Sequence, residues 1–372
     1  MIEKAALQLD ERVKETSSLR RWLIRPELGG MVGTLAVFVF FLLIAPSSGM
    51  FSSEGVVNWS VVSAQFMIIA VGACLLMIAG EFDLSLGSMI GFSGMMIAIF
   101  SVVLGWPMWM AILLTFIICL AIGALNGYIV VKTGLPSFIV TLASLFILRG
   151  FTIYLPQTFV NKTIIGGIRE VAAGDWLATA FGGVVGRPVF QWLADIGFLG
   201  KFVGGNRAGQ AVVEGIPMLI IWALVLVVFG HILLTRTRFG NWIFASGGDA
   251  QAARYTGVPV NTVKILMFML TAFCATVLAT CQVMEFGSAG ADRGEMKEFE
   301  AIIAVVIGGA LLTGGYGSII GAALGALIFG VVQQGLFFAG VESSLFRVFL
   351  GVILLFAVVL NTYIRRMITG ER

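Results

Sequence analysis

Two acidic residues, Glu81 and Asp83, lie in a glycine- and serine-containing stretch, Gly80 to Ser88, between two apolar runs of the sequence. A carboxylate at bilayer depth costs roughly 2.5 to 3.5 kcal/mol on insertion scales, so such a residue faces a cavity, a partner or the interface. In a cavity these carboxylates could bind a coupling ion or act at a gate. In a cytoplasmic turn they would be solvated, and the spacing alone leaves both interpretations open.

Uncharged polar side chains also interrupt the apolar runs, among them Asn126, Gln282 and Gln333. Such a group inside an apolar helix either bonds a neighbouring helix, for about 1 kcal/mol, or lines an aqueous path. We favour a structural role for Asn126 and Gln333, and a gating or packing role at the cytoplasmic mouth for Asp83 and Ser85. The predicted pathway and gate residues are Glu81, Asp83, Ser85, Asn126, Gln282 and Gln333.

Catalytic chemistry is not visible in the sequence. No Gly-x-x-x-x-Gly-Lys-Ser/Thr phosphate loop is present, and no cysteine and histidine residues cluster at metal-ligand spacing. The single histidine, His231, is interpreted as an interfacial side chain, and the 4 cysteines lie in apolar runs. A net charge of +3, spread over segment ends, gives no basic patch for nucleic acid. We therefore expect no enzyme activity, metal or cofactor in this chain.

The elements that position these residues must be membrane-spanning helices. The chain of 372 residues is 59% hydrophobic and 12% charged, with a mean hydropathy of +1.02. That composition is far more apolar than that of a soluble globular protein. It predicts an all-α, polytopic membrane protein with about ten transmembrane helices, each of roughly 20 residues. The predicted spans are 31–45, 60–80, 86–104, 108–131, 136–155, 216–235, 264–284, 300–313, 318–338 and 345–363.

The distribution of lysine and arginine predicts the orientation of these helices. Fourteen such residues fall in the segments that would be cytoplasmic, whereas the short outer loops hold two. Because positive residues accumulate in cytoplasmic loops, both termini are expected in the cytoplasm. Residues 1–30 are then a cytoplasmic segment without a signal peptide, and residues 31–372 form one membrane domain. Within it, 156–215 is an outer segment and 236–263 is a cytoplasmic loop.

The cytoplasmic loop contains a short polar stretch, Gly247 to Val258, that is typical of a helix of about two turns. Asp249 is a good N-cap, and Gly257 stands where a residue with positive φ would end the helix. The helix is too short to span a membrane and marginal in water, so something must hold it. Ala250 and Ala253 share a face without bulk that would suit docking into a groove of another protein. An ordinary surface turn is the alternative.

Four blocks of sequence, in the same order, resemble the permease subunits of bacterial ABC sugar importers, the ribose, xylose and arabinose permease family. The blocks are Glu81-Phe82-Asp83-Leu84-Ser85-Leu86-Gly87-Ser88; Asn126-Gly127 with Pro136-Ser137-Phe138-Ile139-Val140-Thr141-Leu142; Arg236-Thr237-Arg238-Phe239-Gly240 with Gly247-Gly248-Asp249-x-x-Ala252-Ala253-Arg254-x-x-Gly257-Val258; and Glu298-Phe299-Glu300-Ala301-Ile302 to Ile307-Gly308-Gly309. Asp249 stands where that family has Asn, Lys297 where it has an aromatic residue, and Glu300 where it has Asp.

The resemblance implies a division of labour among several subunits. The permease would pair with a second copy or a close paralogue, accept sugar from a periplasmic binding protein, and be driven by ATPase subunits that carry ATP and Mg. It would be a multi-pass protein of the bacterial inner membrane, with 156–215 on the periplasmic side and Glu298 and Glu300 at the periplasmic rim. The short helix would couple the permease to the ATPase. The residues implied in this coupling are Gly247, Gly248, Asp249, Ala253, Arg254 and Gly257.

Several alternatives remain open from the sequence. The expected solute is a simple sugar, a pentose, hexose or polyol, since the stretches Leu104 to Pro107 and Pro136 to Leu142 are most similar to xylose-type permeases. Its rivals are an importer of the same class for a nucleoside or branched-chain amino acid, an ion-gradient-driven secondary transporter, and a non-transporting receptor. In the secondary transporter, Glu81 and Asp83 would bind the coupling ion. The 156–215 segment either contacts the binding protein or is an insertion without a direct role.

Overall fold

The computed structural model describes residues 26–342, apart from 45, 47 and 204–206, and a few positions between 345 and 359. The predicted cytoplasmic segment 1–30 therefore lies almost entirely outside the described residues. The helices are α1 (Pro26–Ile44), α2 (Ser53–Ile78), α3 (Leu86–Ala98) with a π-helical extension (Ile99–Val103), α4 (Met108–Thr133), α5 (Ser137–Val160), α6 (Ile168–Ala172), α7 (Trp176–Phe181), α8 (Arg187–Asp195), α9 (Met218–Arg236), α10 (Arg238–Gly248), α11 (Ala250–Tyr255), α12 (Val260–Phe286), α13 (Lys297–Ile307) and α14 (Ile319–Phe338). The strands are β1 (Ile164–Ile165), which pairs with β4 (Ala289–Gly290), and β2 (Val184–Val185), which pairs with β3 (Ile216–Pro217), both antiparallel.

Within the described residues, 7 helices are long and apolar enough to cross a membrane: α2, α3 with its extension, α4, α5, α9, α12 and α14. The apolar part of α1, Gly30–Ile44, is shorter. The fold is therefore that of an all-α, polytopic membrane protein, as the composition predicts. Most of the last predicted span, 345–363, lies outside the described residues.

The predicted span 300–313 is wrong as a continuous helix. α13 has 11 residues and ends at Ile307, after which Gly309, Gly314 and Gly315 take positive φ and turn the chain. At about 1.5 Å per residue, α13 covers roughly half of a hydrocarbon core about 30 Å thick. The sequence pattern did not distinguish an apolar half-helix followed by a glycine-rich turn from one short span.

The residues between α12 and α13 run back along α3 before α13 begins. Three residues from the end of α12 to the start of α13 each contact one glycine of α3. As the chain advances, the contacted glycine lies nearer to the N-terminal end of α3. The pairs are Val283 with Gly94, Arg293 with Gly91, and Glu298 with Gly87. The chain therefore descends along α3 from the end of α12 without helical structure, and it reaches the first turn of α3 where α13 begins.

The centre of the bundle is formed by α2 and α12. α2 packs against α9, α12, α13 and α14, whereas α12 packs against α3 and α4. Phe66 of α2 and Phe268 of α12 are fully buried, and the Phe66 ring meets the Phe329 ring edge-on at 4.6 Å between centroids. By contrast, α4, α5 and α9 expose large apolar side chains such as Ile117, Phe146 and Leu224. An outer surface of this kind suits contact with lipid rather than with water.

The residues between α5 and α9 form a small unit of short helices and paired strands. The Asp175 carboxylate caps α7 and also accepts a hydrogen bond of 2.9 Å from the Trp109 N–H at the start of α4. The Trp222 side chain of α9 donates to the carbonyl oxygen of Ala180 at 2.8 Å. These hydrogen bonds thus attach the segment to the ends of two spanning helices. Whether residues 156–215 contact a binding protein or are an insertion without a direct role stays open.

Candidate functional site

The polar stretch Gly247 to Val258 forms the short helix that its capping residues predict. Oδ1 of Asp249 accepts hydrogen bonds from the N–H groups of Gln251 and Ala252, both at 2.9 Å. At the other end, Gly257 has a φ of +84°, and its N–H donates to the carbonyl oxygen of Arg254 at 3.1 Å. Local capping chemistry therefore accounts for both ends of α11.

The exposed face of α11 differs from the predicted one. Ala253 is only 5% exposed and Ala250 is partly buried, so the face predicted to dock on another protein packs at least at Ala253 against this chain. Gln251, Arg254 and Tyr255 are exposed instead, Tyr255 to 82%. A protein that binds α11 from outside would meet these three side chains, of which Arg254 also donates to Asn261 Oδ1 at 3.0 Å.

Gly247, near the end of α10, touches the main chain of two distant parts of the protein. A Cβ atom on Gly247 would overlap the carbonyl oxygen of Ile78 and lie 2.8 Å from the nitrogen of Gly315. The Gly315 N–H itself donates to the carbonyl oxygen of Ile78 at 2.9 Å. We call this meeting of Ile78, Gly247 and Gly315 the three-way contact. It joins the end of α2, the end of α10 and the turn before α14 without side chains between them.

Two N–H groups of the segment between α2 and α3, residues 79–85, donate to side chains of α5. The Phe82 N–H donates to Ser137 Oγ at 3.0 Å, and the Leu84 N–H donates to Thr141 Oγ1 at 3.0 Å. Buried N–H groups need such partners where no helix or sheet supplies them. The spacing of Ser137 and Thr141, four residues apart on one helix face, is a sequence signal that could have identified this contact.

Glu81 forms an ion pair with Lys264, near the start of α12. Only 12% of the Glu81 side chain and 16% of the Lys264 side chain are exposed. A buried pair of this kind requires both partners, because removal of one leaves the other charge uncompensated. The predicted gate residue Glu81 is therefore bonded within the chain, and the sequence reasoning missed its partner.

Asp83 is the centre of a buried hydrogen-bond network between α3, α4 and α12. Its Oδ1 accepts from the N–H of Ser85 at 2.9 Å and from the Ser85 hydroxyl, and its Oδ2 accepts from the Thr271 hydroxyl at 2.7 Å. The Asn126 amide donates to Ser85 Oγ at 3.2 Å. Three predicted residues, Asp83, Ser85 and Asn126, are thus brought together with Thr271, which the sequence reasoning missed. Their gating or packing role stays a prediction.

The remaining predicted residues lie apart from this network. Gln282 is eleven positions beyond Thr271 on α12, roughly 16 Å along the helix, and its Nε2 donates to Gln65 Oε1 at 3.2 Å. Gln333 lies on α14, where its buried Oε1 has no hydrogen-bond partner among the described residues. Glu298 and Glu300, expected at the periplasmic rim, are buried. Glu298 lies against Gly87, and Glu300 pairs with Lys297.

A protein-family model described as the permease component of the branched-chain amino acid transport system matches residues 55–358. The chain belongs to this permease family. The permease is 28% identical over 361 residues to the xylose transport system permease protein XylH of Escherichia coli (strain K12), a match that covers 90% of this chain and 92% of XylH. It is 32% identical over 293 residues to the autoinducer 2 import system permease protein LsrD of Salmonella typhimurium, with 78% of each chain covered. No solved structure matches the permease.

The described residues of the permease include no group of three or more His, Cys, Asp or Glu side chains that could hold a metal ion. All four cysteines are buried and unbridged in the described part of the chain. Of the predicted site residues, Glu81, Asp83, Ser85 and Asn126 bond to other side chains of this chain.

Proposed function

We propose that the permease is the membrane subunit of an ATP-driven importer that receives a simple sugar, a pentose, hexose or polyol, from a periplasmic binding protein. In this proposal it works in the bacterial inner membrane with a second permease subunit, and ATP and Mg are held by separate ATPase subunits. The names of XylH and LsrD, a xylose permease and an autoinducer 2 permease, support this choice of solute and direction.

The three-way contact is the observation that carries the ATP-driven mechanism. An ATPase that binds the exposed face of α11 and changes conformation would also move α10. The two helices move together because Asp249 both ends α10 and caps α11. Gly247 would transmit that movement directly to the end of α2 and to the turn before α14. The end of α2 leads into residues 79–85 and the Asp83 network. Closure of the ATPase would thus move the predicted gate residues, because close-packed main-chain contacts deform little and transmit displacement.

Reversal of charge at Arg254 tests the coupling role. Arg254 lies in the last turn of α11, where a cation is favourable, and its guanidinium can form a bidentate pair with an acidic residue of an ATPase groove. We expect Arg254→Glu to insert at normal levels and still accept the sugar-loaded binding protein. The variant should copurify weakly with the ATPase and lose ATP-driven uptake, because like charges would meet.

Lys132→Glu is the matched control for this experiment. Lys132 is exposed at the end of α4, on the side of the bundle predicted to be cytoplasmic, and its replacement makes the same change in charge. It should reduce uptake less than Arg254→Glu does. Wild-type ATPase binding and uptake by Arg254→Glu would remove α11 from the mechanism and with it the main structural support for an ATP-driven importer.

An ion-gradient-driven transporter is the second candidate, since Glu81 and Asp83 are buried acids. Their carboxylates are already engaged, however, with Lys264 in one case and with Ser85 and Thr271 in the other. A coupling ion would have to displace these partners. Uptake into vesicles that have an ion gradient but no ATP would favour the secondary transporter, whereas uptake that requires ATP and the ATPase would exclude it.

A further inference from the structure

The chain between α7 and α9 leaves the bundle and returns to it at one pair of strands. In that pair Val185 of β2 lies opposite Ile216 of β3, and β3 ends at the residue before α9. The 19 residues of α9 cover about 28 Å at 1.5 Å per residue, so nearly all of them are needed to cross a hydrocarbon core about 30 Å thick. The first residue of α9, Met218, therefore lies at one surface of the membrane. α8 starts two positions after Val185, within about 7 Å of this level.

α7 reaches from the start of α4 to the start of α9. At its N-terminal end the Asp175 carboxylate accepts the Trp109 N–H of α4. At its C-terminal end the Phe181 ring stacks on the Trp222 ring of α9, with 4.8 Å between the centroids. Because both attachments lie near the starts of spanning helices, residues 175–185 run along the membrane surface. The segment that leads into α8 is thus held at the level of the lipid headgroups.

One side of α8 is apolar and exposed. Val189, Trp192 and Ile196 are three and four positions apart, which places them on one helix face, and their exposed fractions lie between 57% and 59%. We call these three side chains the apolar stripe. Phe198, just beyond the end of α8, is also exposed. A contiguous group of exposed large apolar side chains indicates a surface that contacts something other than water.

The opposite side of α8 is polar and bonded to the returning chain. The Ala211 N–H donates to Gln191 Oε1 at 3.0 Å, and Gln191 Nε2 donates to the carbonyl oxygen of Gly209 at 3.1 Å. Asp195, at the end of the helix, pairs with Lys201 at 2.8 Å. The returning chain therefore covers the polar side of α8, and the described residues leave the apolar stripe open.

The apolar stripe offers little for specific recognition by a protein. Protein interfaces carry about one hydrogen bond per 100–200 Å², whereas the one polar group of the stripe side chains is the Trp192 N–H. Both charged residues of α8 are already paired, Asp195 as above and Arg187 with Glu214 at 3.5 Å. Lipid acyl chains need neither hydrogen bonds nor a counter-charge, so they suit this surface better.

Other exposed tryptophans lie at the same level of the structure. Trp109 at the start of α4 and Trp176 at the start of α7 are both exposed, as Trp192 is. Tryptophan is enriched at membrane interfaces, because its ring is apolar and its N–H is polar. From their second turns onward, α4 and α9 expose large apolar side chains, at Leu113 and Leu224. The apolar stripe therefore continues a surface that already suits contact with lipid.

We propose that α8 is an interfacial helix that inserts the apolar stripe into the lipid leaflet at the start of α9. A helix of this kind lies in the plane of the interface, with its apolar side roughly 5–10 Å deep in the boundary between headgroups and acyl chains. On the predicted orientation this leaflet is periplasmic. The contact assigns this part of the 156–215 segment to lipid and holds the outer ends of α4 and α9 at a fixed depth. It depends neither on the solute nor on the ATPase.

Quenching of a fluorescent label in nanodiscs tests the contact with lipid. The full-length permease carries a labelled cysteine at one position, from Val189→Cys, Ile196→Cys or, as the matched control on the polar side, Arg187→Cys. All four native cysteines are buried, and the protein without an added cysteine gives the background. In discs of neutral phosphatidylcholine, lipid with a nitroxide on its acyl chain should quench the labels at 189 and 196 several-fold more than the label at 187. Aqueous iodide should give the opposite order.

Trp192→Glu in the Val189→Cys protein tests the stripe itself. A carboxylate there should draw α8 out of the lipid, with loss of most of the lipid quenching and a gain in iodide quenching. Trp192→Phe, the apolar control, should keep the parent values. Lipid quenching at 189 or 196 that is no greater than at 187, or that survives Trp192→Glu, would overturn the interfacial helix. Labels that escape lipid quenching and are shielded from iodide by the sugar-loaded binding protein would overturn it in favour of a protein contact.

Discussion

Thr271 Oγ1 lies 2.7 Å from Asp83 Oδ2, although the two residues are 188 positions apart in the chain. The same hydroxyl lies 2.8 Å from the carbonyl oxygen of Phe268. A hydroxyl has one hydrogen, so it can donate to only one of these acceptors at a time. An amide at position 83 would donate to Oγ1 and leave the hydroxyl hydrogen for Phe268.

We therefore expect Asp83→Asn to fold with little loss of stability, because the amide oxygen still accepts from Ser85 and the amide nitrogen suits Thr271. Asp83→Leu should lower the free energy of unfolding by about 1 to 3 kcal/mol, since it leaves buried polar groups without partners. Thermal unfolding in detergent measures the difference. Equal destabilisation by the two variants would contradict this account of the network. Normal ATP-driven uptake by Asp83→Asn would remove the carboxylate charge from the transport mechanism.

The ion pair of Glu81 and Lys264 predicts strong coupling between two substitutions. Lys264→Met alone should destabilise the permease by about 3 to 5 kcal/mol, because it leaves the Glu81 charge buried without a partner. Adding Glu81→Leu should recover most of that loss. A double-mutant cycle on unfolding in detergent measures the interaction. Simple addition of the two single effects would show that the pair contributes nothing to the fold.

Neighbouring glycines at the end of α10 provide a prediction with an internal control. A Cβ atom on Gly247 would meet the main chain of Ile78 and Gly315, whereas one on Gly248 would have nothing within 4 Å. We expect Gly247→Ala to reduce both thermal stability and ATP-driven uptake, because main chain has to move. Gly248→Ala should be close to wild type in both measurements. Equal behaviour of the two variants would argue against the three-way contact.

Gly257 ends α11 in a conformation that few residues adopt. Its φ of +84° is strained for a residue with a side chain, although space is open around it. Gly257→Val should therefore cost about 1 to 2 kcal/mol locally, whereas Gly257→Asn should cost less, because Asn enters this region more readily. The predicted order of ATPase copurification and uptake is wild type, then Asn, then Val. A Val variant that equals wild type would show that the end of α11 does not matter for coupling.

The sequence predicted those features whose causes are local. The ends of α11 follow from Asp249 and Gly257, each of which acts on the main chain within a few residues. The spanning helices follow from apolar length. The partners Thr271 and Lys264 were missed because nothing near Asp83 and Glu81 in the chain indicates which distant helix turns a polar group toward them.

The position of Glu298 and Glu300 shows a second kind of limit. An acidic pair at the start of an apolar run normally indicates the rim of a membrane helix. Here the preceding residues fold inward along α3, with positive φ at Gly294 and Met296, and carry both acids into the bundle. The descent depends on packing against Gly87 and Gly91, which are about 200 residues away in the chain, so no pattern within the segment reveals it.

The three-way contact also limits which substitutions the permease can accept during evolution. The atoms nearest to an enlarged residue at 247 belong to the main chain of Ile78 and Gly315, so a smaller side chain on the opposite side would not relieve the overlap with them. Second-site suppressors of such a change would have to move whole helices. In an alignment of relatives, the positions of the three-way contact should therefore be invariant. They should not covary in pairs, although three distant parts of the chain meet there.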